Sequence, residues 1–261
     1  MSTIDASLSA PLRPSFPLST HLSSADATAN ENATTTTLIR ALKLAPHPEG
    51  GYFVELDRDA RRVTNPFHAT YDSGILSPAA GVVSFAETAS GDAKSYKDNA
   101  AEQRWTDLTR AASTSIFYLL GQANSAGKWH RNKGRTVHTL IRGRGRYVLI
   151  HADEVDGGGD GGSGFAGKAR VEAFVVGKNV ERGERMVWIV DGGKYKASFL
   201  LEDEDGCGKS EEGLLISETV VPGFEFADHD FLTEERLRDL VTPEQAEELA
   251  WLLRKDEPQS S

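Results

Sequence analysis

The sequence predicts an all-β protein, an antiparallel sandwich or barrel, with short helices confined to its two ends. Three observations carry this. Short runs rich in β-branched and aromatic residues recur at 51–56, 113–120, 137–141, 146–151, 169–176, 186–190, 196–201 and 213–221, punctuated by Gly, Asp and Asn. No helical pattern separates them, so the strand–helix alternation of a parallel α/β fold is missing. Helix signals stand only outside this stretch, before residue 46 and after residue 232.

Residues 1–37 are rich in Ser, Thr, Ala and Pro and end in four consecutive threonines, Thr34 to Thr37. Their scattered apolar residues predict a disordered tail. It lacks the charged start and apolar stretch of a secretory signal, and Arg13 is its one arginine, too few for a transit peptide. A cytoplasmic protein is the expectation. A short helix at 38–42 stops ahead of Pro46, and a domain over 38–240 follows. Two insertions interrupt it. One is the polar segment 62–112; the other is 153–167, whose glycine run 157–159 and 161–162 reads as a flexible hairpin tip. Those glycines lack the strand–helix setting and the Lys-Ser/Thr of a phosphate-binding loop. Beyond 240, Thr242-Pro243-Glu244-Gln245 spells an N-cap, a proline in the first turn and a capping-box glutamine. Ala246, Leu249, Ala250 and Leu253 then mark one apolar helix face, and the tail runs to 261.

Composition narrows the function classes. With 261 residues, 39% of them hydrophobic, the chain can bury a large core. Its net charge of −10 argues against a nucleic-acid partner. No apolar run approaches the roughly 18 residues of a membrane helix, so a soluble protein is expected. The single cysteine, Cys207, excludes an internal disulfide and sits in an acidic stretch that disfavours a reactive thiolate.

Two segments stand apart from ordinary loop or strand. Pro46-His47-Pro48-Glu49-Gly50-Gly51-Tyr52-Phe53 packs fixed-φ prolines around a histidine and a carboxylate, and its glycines permit positive φ or close backbone approach. Val220-Val221-Pro222-Gly223-Phe224-Glu225-Phe226 is the second. Together they resemble markers of a cupin-superfamily group of small proteins, the RmlC-like group long classed as a domain of unknown function. The strand Ser113-Thr114-Ser115-Ile116-Phe117-Tyr118-Leu119-Leu120 resembles one of its strands as well. The likeness runs from about Leu42 to Leu240. It implies a double-stranded β-helix (jelly roll), a homodimer, and kinship with sugar epimerases that work without metal.

The first cupin metal motif is His-x-His, a Glu and a Gly at set spacing. Here His130, Asn132, Thr136 and Gly143 hold those places, so the second histidine and the glutamate are lost. The second motif also supplies a histidine, and Asp191 to Lys196 offers none. An amide and a hydroxyl are poor ligands for a transition ion. His138 lies two residues beyond Thr136, on the same strand face, and is expected to form a rebuilt interior pair with His130.

These residues point to an enzyme acting on a small organic molecule by acid–base chemistry, of the isomerase, epimerase, cyclase or lyase type. A tailoring step in secondary metabolism is one setting for it. His130, His138 and Glu49 are the expected catalytic groups, since imidazoles titrate near neutral pH. Tyr52, Tyr118, Thr136, Arg146 and Tyr195 are the expected substrate contacts. In the strand following the run Arg142-Gly143-Arg144-Gly145-Arg146, either Arg146 or its neighbour Tyr147 faces the cavity. Each histidine has a structural alternative, as a hydrogen-bonded strand residue. No cofactor is expected. If a divalent metal binds, His130 and His138 would hold it with a third ligand from Glu49 or elsewhere, making the protein an oxygenase or hydrolase; a non-catalytic binding module is the third reading.

Overall fold

The computed structural model describes residues 1–18, 28, 30–68, 108–156, 167–204 and 208–255. Two antiparallel sheets face each other. The larger has six strands in the order β1 (Ala45–Pro46), β2 (Tyr52–Arg58), β5 (Thr114–Leu120), β12 (Leu214–Val221), β7 (Arg135–Arg142) and β10 (Val187–Val190). The smaller has five: β13 (His229–Phe231), β6 (Ala126–Asn132), β11 (Tyr195–Leu200), β8 (Gly145–Ile150) and β9 (Val171–Val176). A hairpin of β3 (Arg62–Thr64) and β4 (Thr109–Ala111) closes the base of the first insertion, where the Asn65 amide donates to the Leu108 carbonyl at 2.8 Å. Residues 69–107 and 157–166, and Cys207, lie outside the described residues.

Strand alternation sorts each strand into an inner and an outer row. Tyr118, Leu120, Leu140, Tyr147, Leu149, Trp188, Leu200, Leu214 and Ile216 meet between the sheets. The outer row of the small sheet is Trp129, Val148, Ile150, Tyr195, Ala197 and Phe199. It is covered by α3 (Glu234–Leu240) and α4 (Pro243–Leu249) through Leu237, Leu240 and Leu249. The large sheet's outer row, with Tyr52, Leu119 and Leu215, packs under α1 (Ala33–Leu42) through Ile39.

The inner rows change character along their length. On β7, Thr136 and His138 precede Leu140; on β11, Lys196 and Ser198 precede Leu200; on β12, Leu214 and Ile216 precede Glu218. Because the strands run antiparallel, these changes coincide in space. One end of the interior is apolar and the other is polar.

Two expectations about the ends need correction. Residues 1–18 are not a loose tail: Leu12 is buried against the small sheet and the helices, and Phe16 against the inner core. The Glu248 carboxylate on α4 accepts from the Thr3 and Leu12 amides, at 2.8 and 2.6 Å. Composition hides this, since two well-placed apolar residues and one acceptor suffice. Nor do the threonines end a tail. They form the first turns of α1, capped by Asn32, which accepts from the Thr35 amide at 2.8 Å. At the other end the predicted capping box of Thr242 and Gln245 is present. The chain then tightens into a 3-10 turn after Leu249, so Leu252 is buried where Leu253 was expected and Ala250 turns outward. A four-residue helix, α2 (Asp153–Asp156), occupies the start of the second insertion. No helix among the described residues is long and apolar enough to cross a membrane.

Candidate active site

The proline-framed turn delivers Glu49 to the polar end. The Gly50 amide donates to the His47 carbonyl at 2.9 Å, and the His47 amide to the Gly51 carbonyl at 3.0 Å. Gly50 has φ +99°, and a Cβ there would lie 2.1 Å from the Ala126 carbonyl oxygen, so glycine is required. The Lys128 amide donates to the Glu49 carbonyl at 2.6 Å, fastening the turn to β6.

Three imidazoles surround the Glu49 carboxylate. His229 Nε2 lies 2.8 Å from Oε1, His130 Nε2 3.2 Å from Oε2, and His47 Nδ1 3.6 Å from Oε2. The rings of His130 and His229 stack with centroids 5.4 Å apart. Burial alone pushes the Glu49 carboxyl up; His130, His47, the His229 hydrogen bond and Lys196 outweigh it and hold the group at about 2. Burial brings His130 down to about 4, with Glu49 opposing and Lys196 assisting. The pair at neutral pH is therefore carboxylate and uncharged imidazole. His130 Nδ1 lies 2.8 Å from the Lys128 carbonyl, which can only accept, so Nδ1 carries the proton. The Nε2 lone pair then points at Glu49.

A second cluster lies on the facing strands. Lys196 Nζ donates to Glu218 Oε2 at 2.7 Å and to His138 Nε2 at 3.0 Å. His138 is wholly buried and stacks on Trp188, with centroids 5.0 Å apart. Burial and then Lys196 lower its basicity, with Glu218 opposing. Burial raises the Glu218 carboxyl, but Lys196 and His138 overcome this and hold it well below the usual range. Lys196 pairs in register with His130 across β11 and β6, and its charge bears on both carboxylates. The Tyr118 hydroxyl, donating to the Gly50 carbonyl at 2.8 Å, lies between the clusters; burial, Glu49 and Glu218 all push it far from ionising.

The expected site residues divide accordingly. Glu49 and His130 lie side by side, Tyr118 bonds the same turn at Gly50, and Thr136 shares the inner face of β7 with His138. His130 and His138 do not form a pair: each belongs to its own cluster, and no hydrogen bond or ring contact joins them. Three expected contacts lie elsewhere. Tyr52 is on the outer face under α1, with its hydroxyl donating to Glu31 at 3.0 Å. Arg146 points outward to Asp5 at 2.8 Å, leaving Tyr147 inside. Tyr195 packs outward under Arg131, because its neighbour Lys196 takes the inner place. Alternation is the common reason, and a one-residue choice of face decides each case.

Sequence reasoning missed Lys196, Glu218 and His229. The polar members Lys196 and Ser198, set between Tyr195, Ala197 and Phe199, were a readable period-two signal. His229 sits in a three-residue strand with no pattern to expose it. The cupin motif places do not make a ligand set: Asn132 Oδ1 is buried without a hydrogen-bond partner, and Thr136 is a hydroxyl. Glu49, His130 and His229 do converge, with one ligand atom from each within 4.8 Å of the others. A pocket of about 370 Å³, lined by Arg131, Asn132, Lys133, Gly193, Asp228 and His229, among others, opens beside this group.

Comparisons agree with the architecture. The profile of a family described as "Cupin superfamily (DUF985)" matches residues 36–232. A protein of Saccharomyces cerevisiae, described as uncharacterized, is 38% identical over 216 residues, covering 82% of this chain and 84% of the relative. Among solved structures, a hypothetical protein from Leishmania major superposes with a TM-score of 0.59 at 23% identity, covering 85% of this chain and all of that one. A Shewanella oneidensis protein gives 0.52 at 17% identity, with coverage of 86% and 100%. The two structures show the fold alone.

Proposed function

The chain belongs to the cupin superfamily (DUF985), and on that premise we propose that it is an enzyme acting on a small organic molecule within the barrel by proton transfer. One observation carries the reading: two buried clusters of opposite character share the polar end of one interior. Glu49, His130 and His229 form an electron-rich pole. Lys196, held by Glu218 and His138, forms a proton-rich one. A protein that only held its sheets together would not bury this many titratable groups, since each costs desolvation.

The poles divide the work of an isomerase, epimerase, cyclase or lyase. A substrate carbonyl or leaving oxygen held against Lys196 accumulates negative charge, which the ammonium stabilises; His138 and Glu218 keep that ammonium aimed. The opposite pole draws off the positive charge or proton. A pocket of about 370 Å³ touches this end of the molecule at His229. A second reading, metal-dependent oxygenase or hydrolase chemistry, is favoured by the convergence of Glu49, His130 and His229.

The test is solvent exchange. Small polar molecules with a C–H next to a carbonyl, incubated with the protein in D2O, are followed by NMR for deuterium uptake or rearrangement. The proposal expects exchange into at least one compound, falling about 10²–10⁴-fold in His130→Gln and in Lys196→Met. A compound that binds tightly but returns unexchanged and unaltered would replace the enzyme with a binding module.

A further inference from the structure

We infer that Glu49, His130 and His229 bind one divalent transition-metal ion, in a set that shares only His130 with the places of the cupin metal motif. The three groups come from separate parts of the chain: the proline-framed turn, β6 and the start of β13. Their ligand atoms nevertheless converge within 4.8 Å.

The local hydrogen bonding suits a bound cation. His130 donates its Nδ1 proton to the Lys128 carbonyl at 2.8 Å, the usual outer-shell arrangement that fixes a metal-ligating imidazole. Its Nε2 lies 3.2 Å from a carboxylate oxygen, on a ring 6% exposed. Two ligand atoms thus face one point where little water can reach. A cation placed there is bonded by both. His229 at 2.8 Å from the other carboxylate oxygen completes the set, surrendering its Nε2 proton when the ion enters.

The spacing agrees. Donor atoms about 2.1 Å from a shared ion, at angles near 90–110°, stand about 3.0–3.4 Å apart. The observed 2.8 and 3.2 Å need only a slight opening. Two imidazoles and one carboxylate suit zinc, iron(II), cobalt or nickel, and not the oxygen-seeking calcium or magnesium.

This inference rests on the proposed function only in taking the same interior as the site. With an ion bound, Glu49, His130 and His229 serve as its ligands in place of the proton-accepting role given to them above, and Lys196 keeps its own. The full chain, purified without a polyhistidine tag and stripped by chelator, is titrated with Co²⁺ alone, by calorimetry and by visible d–d absorption. One equivalent should bind. Binding should weaken at least about 100-fold, more than an outer-shell loss, in both His130→Gln and His229→Gln, and should persist in His138→Gln. Circular dichroism checks that each variant is folded. The inference falls if the folded wild type takes up no Co²⁺, or if both ligand variants bind normally, or if His138→Gln alone abolishes binding. Solvent exchange by stripped protein that ignores Co²⁺ would remove the metal and keep the proton-transfer reading. Co²⁺ uptake without exchange on any substrate would do the reverse.

Discussion

At the scale of single residues, His138 shows how burial turns a sequence feature into a pH response. Its imidazole is held uncharged by burial and by the neighbouring Lys196, against the opposing pull of Glu218. In the unfolded chain the same group titrates near its ordinary pKa of about 6.5. Below that pH the unfolded chain takes up a proton that the folded one refuses. The contribution of His138 is therefore intact above about pH 6.5 and is lost as the pH falls below it, with a slope no steeper than about 1.4 kcal/mol per unit from this one group. Urea midpoints measured from pH 8 to 5 should fall on the acid side, and less steeply in His138→Gln. Equal slopes in both proteins would mean that His138 carries no such shift. The residue types at this site were legible where a motif framed them: Glu49 between Pro48 and two glycines, and His130 at a superfamily position. Glu218 was not, and the local alternation that marks Lys196 as an inner residue does not report that the two face each other across the sheets.

At the scale of elements, long hydrophobic runs such as 113–120 and 213–221 were legible and became β5 and β12. β6 was not read as a strand. Its sequence Ala126-Gly127-Lys128-Trp129-His130-Arg131-Asn132 lacks β-branched residues, and pairing with β11 and β13 overrides that weak propensity. The N-terminal segment is the larger surprise. Its composition suggests no structure, yet it is tied down at Glu248, at Arg146 and by the side chains of Leu12 and Phe16. Leu12 is 2% exposed, among Trp129-side core residues and the C-terminal helices. Leu12→Ala should cost about 2–5 kcal/mol if the segment remains docked around the cavity, as for other buried leucines. Chemical denaturation measures the loss, and limited proteolysis should show faster cleavage within residues 1–18 of the variant. A change under about 0.5 kcal/mol, as for an ordinary surface position, would show that the segment does not contribute to the folded state in solution.

At the scale of the whole molecule, the two ends of the interior do different jobs, and a pair of variants can separate them. The apolar end, where Leu120, Leu140, Leu200, Leu214 and Ile216 meet, supplies hydrophobic burial. The polar end holds ions that had to be desolvated, and such groups are weak sources of stability even when well paired. Lys196→Met should be costly, about 3–5 kcal/mol, because it strands the buried Glu218 carboxylate without its 2.7 Å partner. Replacing the cluster together, as Lys196→Met, Glu218→Leu and His138→Leu, removes the charges along with their partners. That triple variant should regain most or all of the loss, since well-packed apolar substitutes for a buried ion pair are often neutral or stabilising. It should also lose solvent exchange entirely. Urea denaturation of the wild type, the single variant and the triple variant decides the matter. If the triple variant is as unstable as the single one, the cluster is architecture: its ions hold the sheets in place, and the polar end cannot be assigned to function on energetic grounds. Recovered stability with lost chemistry would mean that this end of the barrel retains its charges at the expense of the fold, for the sake of what binds there.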